Sequence, residues 1–115
     1  MSVFRALLGI GFSSISVDKY QEQFGKNDHT LVDVRTAAEF KSGHVAGAIN
    51  IPLAELERRL KKISQKRPVV VICQTGNRSR FGSAILGAAG YEVYNLKGGT
   101  SLWQSKGLPT KKGHK

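Results

Sequence analysis

The stretch that most constrains this chain is Val69-Val70-Val71-Ile72, a run of apolar, β-branched residues. A strand without polar alternation is buried on both faces, which places it in a parallel sheet covered on both sides. The run ends in Cys73, the only cysteine. Gln74-Thr75-Gly76-Asn77 then forms a short polar loop, and from Arg78 the pattern turns helical. The reading is a buried strand, a loop and a helix N-terminus, with a thiol at the strand's carboxyl end. In parallel α/β sheets that end is where sites lie.

The rest of the chain alternates strands with helices. Ser16 caps a helix over Val17–Phe24 whose Val17, Tyr20 and Phe24 share a face, and Gly25 stops it. His29–Val34 reads as a strand ending at Asp33 and Arg35. Thr36–Lys41 reads as a short helix with Phe40 as its core contact, broken by Ser42-Gly43-His44. A short strand is expected through Ala48 and Ile49, and Pro52 suits the first turn of a following helix. Leu53–Ile63 is the clearest amphipathic helix, with a stripe of Leu53, Leu56, Leu60 and Ile63. Its pairs Glu55–Arg59 and Glu57–Lys61 have the favourable i,i+4 order.

After the cysteine loop, Phe81, Ala84, Ile85 and Ala88 define one face of a helix that ends at Gly90. Gly82 and Gly87 interrupt it, and glycine there points to close approach of a neighbouring element. Glu92–Leu96 is a further strand. Gly98-Gly99 turns the chain, and Thr100 caps a last helix holding Leu102 and Trp103. Residues 1–14 read as an N-terminal arm and 110–115 as a basic tail with nothing to bury, leaving one domain over 15–109. Ala6 to Phe12 follows Arg5 and mimics a very short leader core, but seven residues with two glycines fit a packed arm better. The alternation predicts an α/β fold, a parallel sheet with helices on both faces.

The 115 residues suit one modest core, and no apolar run reaches the roughly 20 residues needed to span a bilayer. The formal charge of +10 favours anionic partners. The basic groups Arg58-Arg59, Lys61-Lys62, Lys66-Arg67 and Lys111-Lys112 are not interleaved with aromatics, so a nucleic-acid platform is not expected. One cysteine forms no internal disulfide, and His29, His44 and His114 lack metal-ligand spacing, so neither metal nor cofactor is implied. A reducing, cytoplasmic setting is expected.

Cys73 can be a buried strand-end thiol that packs as a small hydrophobe. Its surroundings argue for more. The loop Gln74–Arg78 can aim backbone N–H groups inward as an anion nest beneath a helix N-terminus. Arg78 adds positive charge, and all of these favour the thiolate. A helix dipole disfavours a cation in the first turn, so Arg78 is expected to have an anion or thiolate partner. A nucleophile beside an anion cradle is suited to attack on an anionic, electrophilic centre.

Three segments resemble the single-domain rhodanese family of sulfurtransferases. They are Leu31-Val32-Asp33-Val34-Arg35 with Glu39-Phe40, Gly43-His44-Val45-Ala46-Gly47-Ala48-Ile49-Asn50-Ile51-Pro52, and Cys73-Gln74-Thr75-Gly76-Asn77-Arg78-Ser79. The ending Gly98-Gly99, Trp103 and Gly107-Leu108-Pro109 is also similar, so the resemblance runs from about Ile15 to Pro109. It implies a three-layer α/β/α fold with a five-stranded parallel sheet in the order 1-5-4-2-3. It implies that Cys73 takes a sulfane sulfur from a donor such as thiosulfate, holds it as a persulfide, and yields it to cyanide or a thiol. Backbone amides of Gln74, Thr75, Gly76, Asn77 and Arg78 would bind the persulfide. Asp33 and Arg35 would be framework residues near the site, and His44 a structural one.

The family also resembles dual-specificity cell-cycle phosphatases, whose loops place five residues between cysteine and arginine. Here Gln74, Thr75, Gly76 and Asn77 make four. The tighter ring suits a sulfur atom rather than a phosphoryl group. Two further readings stay open: a persulfide carrier or sulfur-relay module serving a protein acceptor, and a regulatory domain, against which the intact Cys73 and Arg78 count.

Overall fold

A computed structural model describes residues 11–114. Most of the expected arm, residues 1–10, and Lys115 lie outside the described residues, as does most of the leader-like run. The strands are β1 (Ser13–Ile15), β2 (Thr30–Asp33), β3 (His44–Val45), β4 (Ile49–Asn50), β5 (Val69–Ile72), β6 (Val93–Leu96) and β7 (Thr110–Lys111). The α-helices are α1 (Val17–Phe24), α2 (Ala37–Ser42), α3 (Asn77–Ala88) and α4 (Gly99–Ser105). The main sheet is parallel throughout, in the order β1-β6-β5-β2-β4. Counting its own five strands along the chain, that is the expected 1-5-4-2-3. No helix among the described residues is long and apolar enough to cross a membrane.

β5 is central, and alternation along it divides the core in two. Val70 and Ile72 join Val17, Tyr20, Phe24, Phe40 and Trp103 on the face covered by α1, α2 and α4. Val69, Val71 and Cys73 join Leu56, Ile63, Ile85 and Leu86 on the face covered by α3 and the segment before β5. Val69 to Ile72 are all 0% exposed, as a strand buried on both faces requires.

The structure departs from the sequence reading in several places. Leu53–Ile63 is not an α-helix but two 3₁₀ segments, Leu53–Glu55 and Glu57–Lys62, with Arg59 at φ −116°, ψ 19° between helical neighbours. Leu53 and Leu56 are three apart, as are Leu60 and Ile63, and a three-residue turn stacks each pair. The Tyr91 hydroxyl lies 2.8 Å from both the Leu60 and Ile63 carbonyls, holding the tighter winding. Of the predicted pairs, Arg59–Glu55 forms at 3.1 Å.

The buried side of α3 is also rotated. Ser79, Gly82, Ser83 and Leu86 are buried with Ala84 and Ile85, whereas Phe81 is half-buried and Ala88 exposed. A Cβ on Gly82 would come within 3.3–3.4 Å of Val34, Leu56 and Val71, and one on Gly87 within 2.2 Å of the Gly11 carbonyl oxygen. Both glycines therefore mark close approach, as their interruption of the helix suggested. Thr100 is not the cap of α4, which Gly98 occupies in a left-handed conformation (φ 81°). Finally, the tail is not wholly unstructured. Thr110–Lys111 pairs antiparallel with His44–Val45, and both tail residues stay exposed. At the other end, β1 includes Ser13 and Ser14 of the expected arm, in register with Tyr94 and Asn95.

Candidate active site

β5 delivers Cys73 to the carboxyl edge of the sheet, 1% exposed. The chain then reverses through Gly76, whose φ of +106° favours glycine, directly into α3. This turn brings the Gly76 N–H back to the Cys73 sulfur at 3.0 Å. Gly76 is buried, Gln74 and Arg78 are half-buried, and Thr75 and Asn77 are exposed on the rim. The first-turn N–H groups of a helix have no partners within it, so α3 begins at this loop with donors that the helix itself does not use.

α4 clamps this loop from the other side. Thr100 donates to the Cys73 carbonyl through its backbone N–H at 2.8 Å and its hydroxyl at 3.2 Å, and the Ser101 N–H donates to the Gln74 carbonyl at 3.0 Å. The contact is so close that a Cβ on Gly99 would lie 2.3 Å from the Cys73 carbonyl oxygen. Thr100 thus acts on the loop rather than on its own helix.

Asp33 and Arg35 brace the loop from the end of β2. Both are buried, with Arg35 Nη2 donating to Asp33 Oδ2 at 2.9 Å and Nε reaching both carboxylate oxygens at 3.1 Å. Arg35 also donates to the Gly43 carbonyl at 2.7 Å and to Gln74 Oε1 at 3.0 Å. Gln74 in turn donates to the Ser101 hydroxyl at 2.6 Å. One buried guanidinium therefore ties the end of β2, the turn after α2 and the cysteine loop together. His44 is fully buried, stacks on Phe40 at 3.6 Å and lies with Nδ1 2.8 Å from the Phe40 carbonyl, which is a framework position.

The anion expected beside Arg78 is Glu39. Hydrogen bonding from Arg78 holds the Glu39 carboxyl at about 2, and the guanidinium's own pKa is raised, first by that bond and then by the charges of Glu39, Cys73 and Asp33. Sequence reasoning did not single out Glu39 as a site residue. Its signal was present as the fourth member of the Thr36-Ala37-Ala38-Glu39 capping box, which forms with Thr36 Oγ1 accepting from the Glu39 N–H. Two further polar residues were also missed. Ser79 and Asn95 are 0% and 2% exposed, the Ser79 hydroxyl lies 3.4 Å from the Cys73 sulfur, and it donates to Asn95 Oδ1. An asparagine inside Val93–Leu96 runs against strand propensity and was the available sign.

A groove of about 490 Å³ adjoins the loop at Arg78, lined by Val34, Thr36, Pro52, Leu53 and Ile85 among others. A larger one of about 590 Å³ lies away from Cys73, around Phe40, Ile49 and Lys111.

A rhodanese-like domain family model matches residues 16–106. A sulfurtransferase of Allochromatium vinosum is 40% identical over 83 residues, covering 71% of this chain and 78% of that protein. Thiosulfate sulfurtransferase 16, chloroplastic, of Arabidopsis thaliana is 38% identical over 96 residues, covering 72% and 80%. Among solved structures, a rhodanese-related protein from Thermoplasma volcanium superposes with a TM-score of 0.80 at 31% identity, covering 87% of this chain and 98% of that one.

Proposed function

The chain belongs to the rhodanese-like domain family, and on that premise we propose that it is a sulfurtransferase working through a Cys73 persulfide, with thiosulfate or a similar anion as donor. The family and its sulfurtransferase relatives support a role in sulfur transfer. The observation that carries the finer reading is the hydrogen bond from the Gly76 N–H to the Cys73 sulfur at 3.0 Å, inside a ring closed by Arg78 after four intervening residues.

In the first step the Cys73 thiolate attacks the outer sulfur of thiosulfate. A sulfur–sulfur bond forms to Cys73, the donor's own sulfur–sulfur bond breaks, and sulfite leaves with its electron pair. The persulfide keeps the single negative charge on its outer sulfur. In the second step cyanide attacks that outer sulfur, thiocyanate leaves, and the Cys73 thiolate returns; a small thiol or a protein thiol is an equivalent acceptor. With Cys73 1% exposed, the site suits a narrow donor whose reactive sulfur is terminal. The N–H groups of Gln74 to Arg78 and the start of α3 would hold the outer sulfur's charge. Arg78 draws the donor, and Asp33 and Arg35 keep the loop in place.

Cys73→Ser tests this directly. It should abolish thiocyanate formation from thiosulfate and cyanide, and near wild-type turnover would overturn the proposal. Wild-type protein that forms a persulfide but turns over poorly with cyanide, and instead passes sulfur to a protein thiol, would identify a sulfur-relay module.

A further inference from the structure

We propose that Asn95 is a positioning residue that turns the Ser79 hydroxyl proton toward the Cys73 sulfur whenever that sulfur carries negative charge. The inference rests on the reading of Cys73 as the attacking thiolate.

Asn95 lies on β6 between β1 and β5, in register with Ser14 on one side and Val71 on the other. A buried asparagine needs its polar atoms satisfied. Here they belong to a chain that starts at the reacting atom. The Cys73 sulfur contacts the Ser79 hydroxyl at 3.4 Å, Ser79 donates to Asn95 Oδ1, and Asn95 Nδ2 donates to the Ser14 hydroxyl at 3.4 Å.

Ser79 has one proton to give. In this arrangement it goes to Asn95, and the hydroxyl oxygen accepts from the Cys73 thiol. A thiolate has no hydrogen to offer and needs a donor. Ser79 can supply one only if Asn95 Oδ1 finds another partner, since a buried acceptor left bare is costly. Rotation of the Asn95 amide by half a turn supplies it, because the two ends of the amide fill the same space. Nδ2 then donates to Ser79, Ser79 donates to the sulfur, and Oδ1 accepts from Ser14. Ser14 is exposed and its hydroxyl works in either sense, so the chain is satisfied in both polarities.

The demand follows the chemistry. The Cys73 sulfur is negative before sulfur uptake and becomes negative again as the acceptor removes the outer sulfur. In the persulfide the charge sits on the outer atom. The other groups about the sulfur do not reverse: the Gly76 N–H donates throughout, Arg78 of α3 stays charged against Glu39 of α2, and Asp33 and Arg35 at the end of β2 remain paired.

The test is the pH dependence of Cys73 alkylation by iodoacetamide in the full chain, which reads the thiolate without sulfur chemistry. Asn95→Asp keeps the shape but only accepts, so it holds the Ser79 proton away from sulfur. Asn95→Asp and Ser79→Ala should each raise the alkylation midpoint by about one pH unit, the former partly through its added charge, and Asn95→Asp should add less in the Ser79→Ala background than it does alone. Additive shifts, or an unshifted midpoint in folded Asn95→Asp, would overturn the proposal. In the unsubstituted protein, NMR contacts of the Asn95 side-chain NH₂ should move from Ser14 to Ser79 as Cys73 ionises; contacts that stay with Ser14 would also overturn it. Failure of the unsubstituted protein to take up sulfur would instead count against the proposed function.

Discussion

Arg78 and Glu39 meet as a two-pronged ion pair, Nη1 to Oε1 at 2.7 Å and Nη2 to Oε2 at 2.9 Å, joining the first turn of α3 to the first turn of α2. Glu39 Oε1 also accepts from the Thr36 N–H at 3.1 Å, so one carboxylate closes a helix cap and orients the loop's arginine. The planar fork of arginine matches both oxygens, which a lysine could not.

Glu39→Gln removes the charge while keeping an acceptor for Thr36. The pair is about a third exposed, so the variant should lose no more than about 1 kcal/mol at neutral pH. Folding lowers the Glu39 pKa from 4.5 to about 2, so its contribution is complete above 4.5 and lost as pH falls toward 2. Urea unfolding of both proteins at several pH values should show a constant difference above about pH 5 that shrinks in more acidic solution.

Arg35 is the more consequential cation for stability. Arg35→Leu leaves Asp33 buried and unpaired and should destabilise by about 3–5 kcal/mol in denaturant unfolding. Arg35→Lys keeps charge but loses the fork, and should fall between the variant and wild type.

Two glycines separate strain from crowding. Gly47 has φ +91° with nothing among the described residues within 4 Å of an added Cβ, whereas Gly99 would place its Cβ 2.3 Å from the Cys73 carbonyl oxygen. Gly47→Ala should cost about 1 kcal/mol and leave sulfur transfer unchanged. Gly99→Ala should cost about 1–3 kcal/mol or more and reduce turnover at least about tenfold, because the loop must shift. Thermal unfolding and thiocyanate formation measure the two effects.

The Tyr91 hydroxyl holds the end of the 3₁₀ run through the Leu60 and Ile63 carbonyls. Tyr91→Phe should cost about 1 kcal/mol in unfolding experiments without altering sulfur transfer.

What the sequence made legible follows from the range of the forces involved. The run Val69–Ile72 announced a doubly buried strand because burial on both faces leaves no place for polar alternation. The turn at Gly76 and the helix after it were readable for similar local reasons. The Leu53–Ile63 stripe was not decisive, since spacings of three and four fit an α-helix and a kinked 3₁₀ run alike. The β3–β7 ribbon pairs His44–Val45 with residues more than sixty positions away and carries no pattern in its two-residue strands. Arg78 advertised an anionic partner but not which one, because Glu39 is brought to it only by the sheet order. Ser79 and Asn95 meet for the same reason, through the parallel pairing of β5 with β6.

Mass spectrometry of the protein after thiosulfate treatment reads directly whether Cys73 carries sulfur as a persulfide. A gain of about 32 Da on the peptide containing Cys73, removed by cyanide with release of thiocyanate, is expected. No sulfur adduct on Cys73, together with rapid hydrolysis of an aryl phosphate, would overturn the persulfide role.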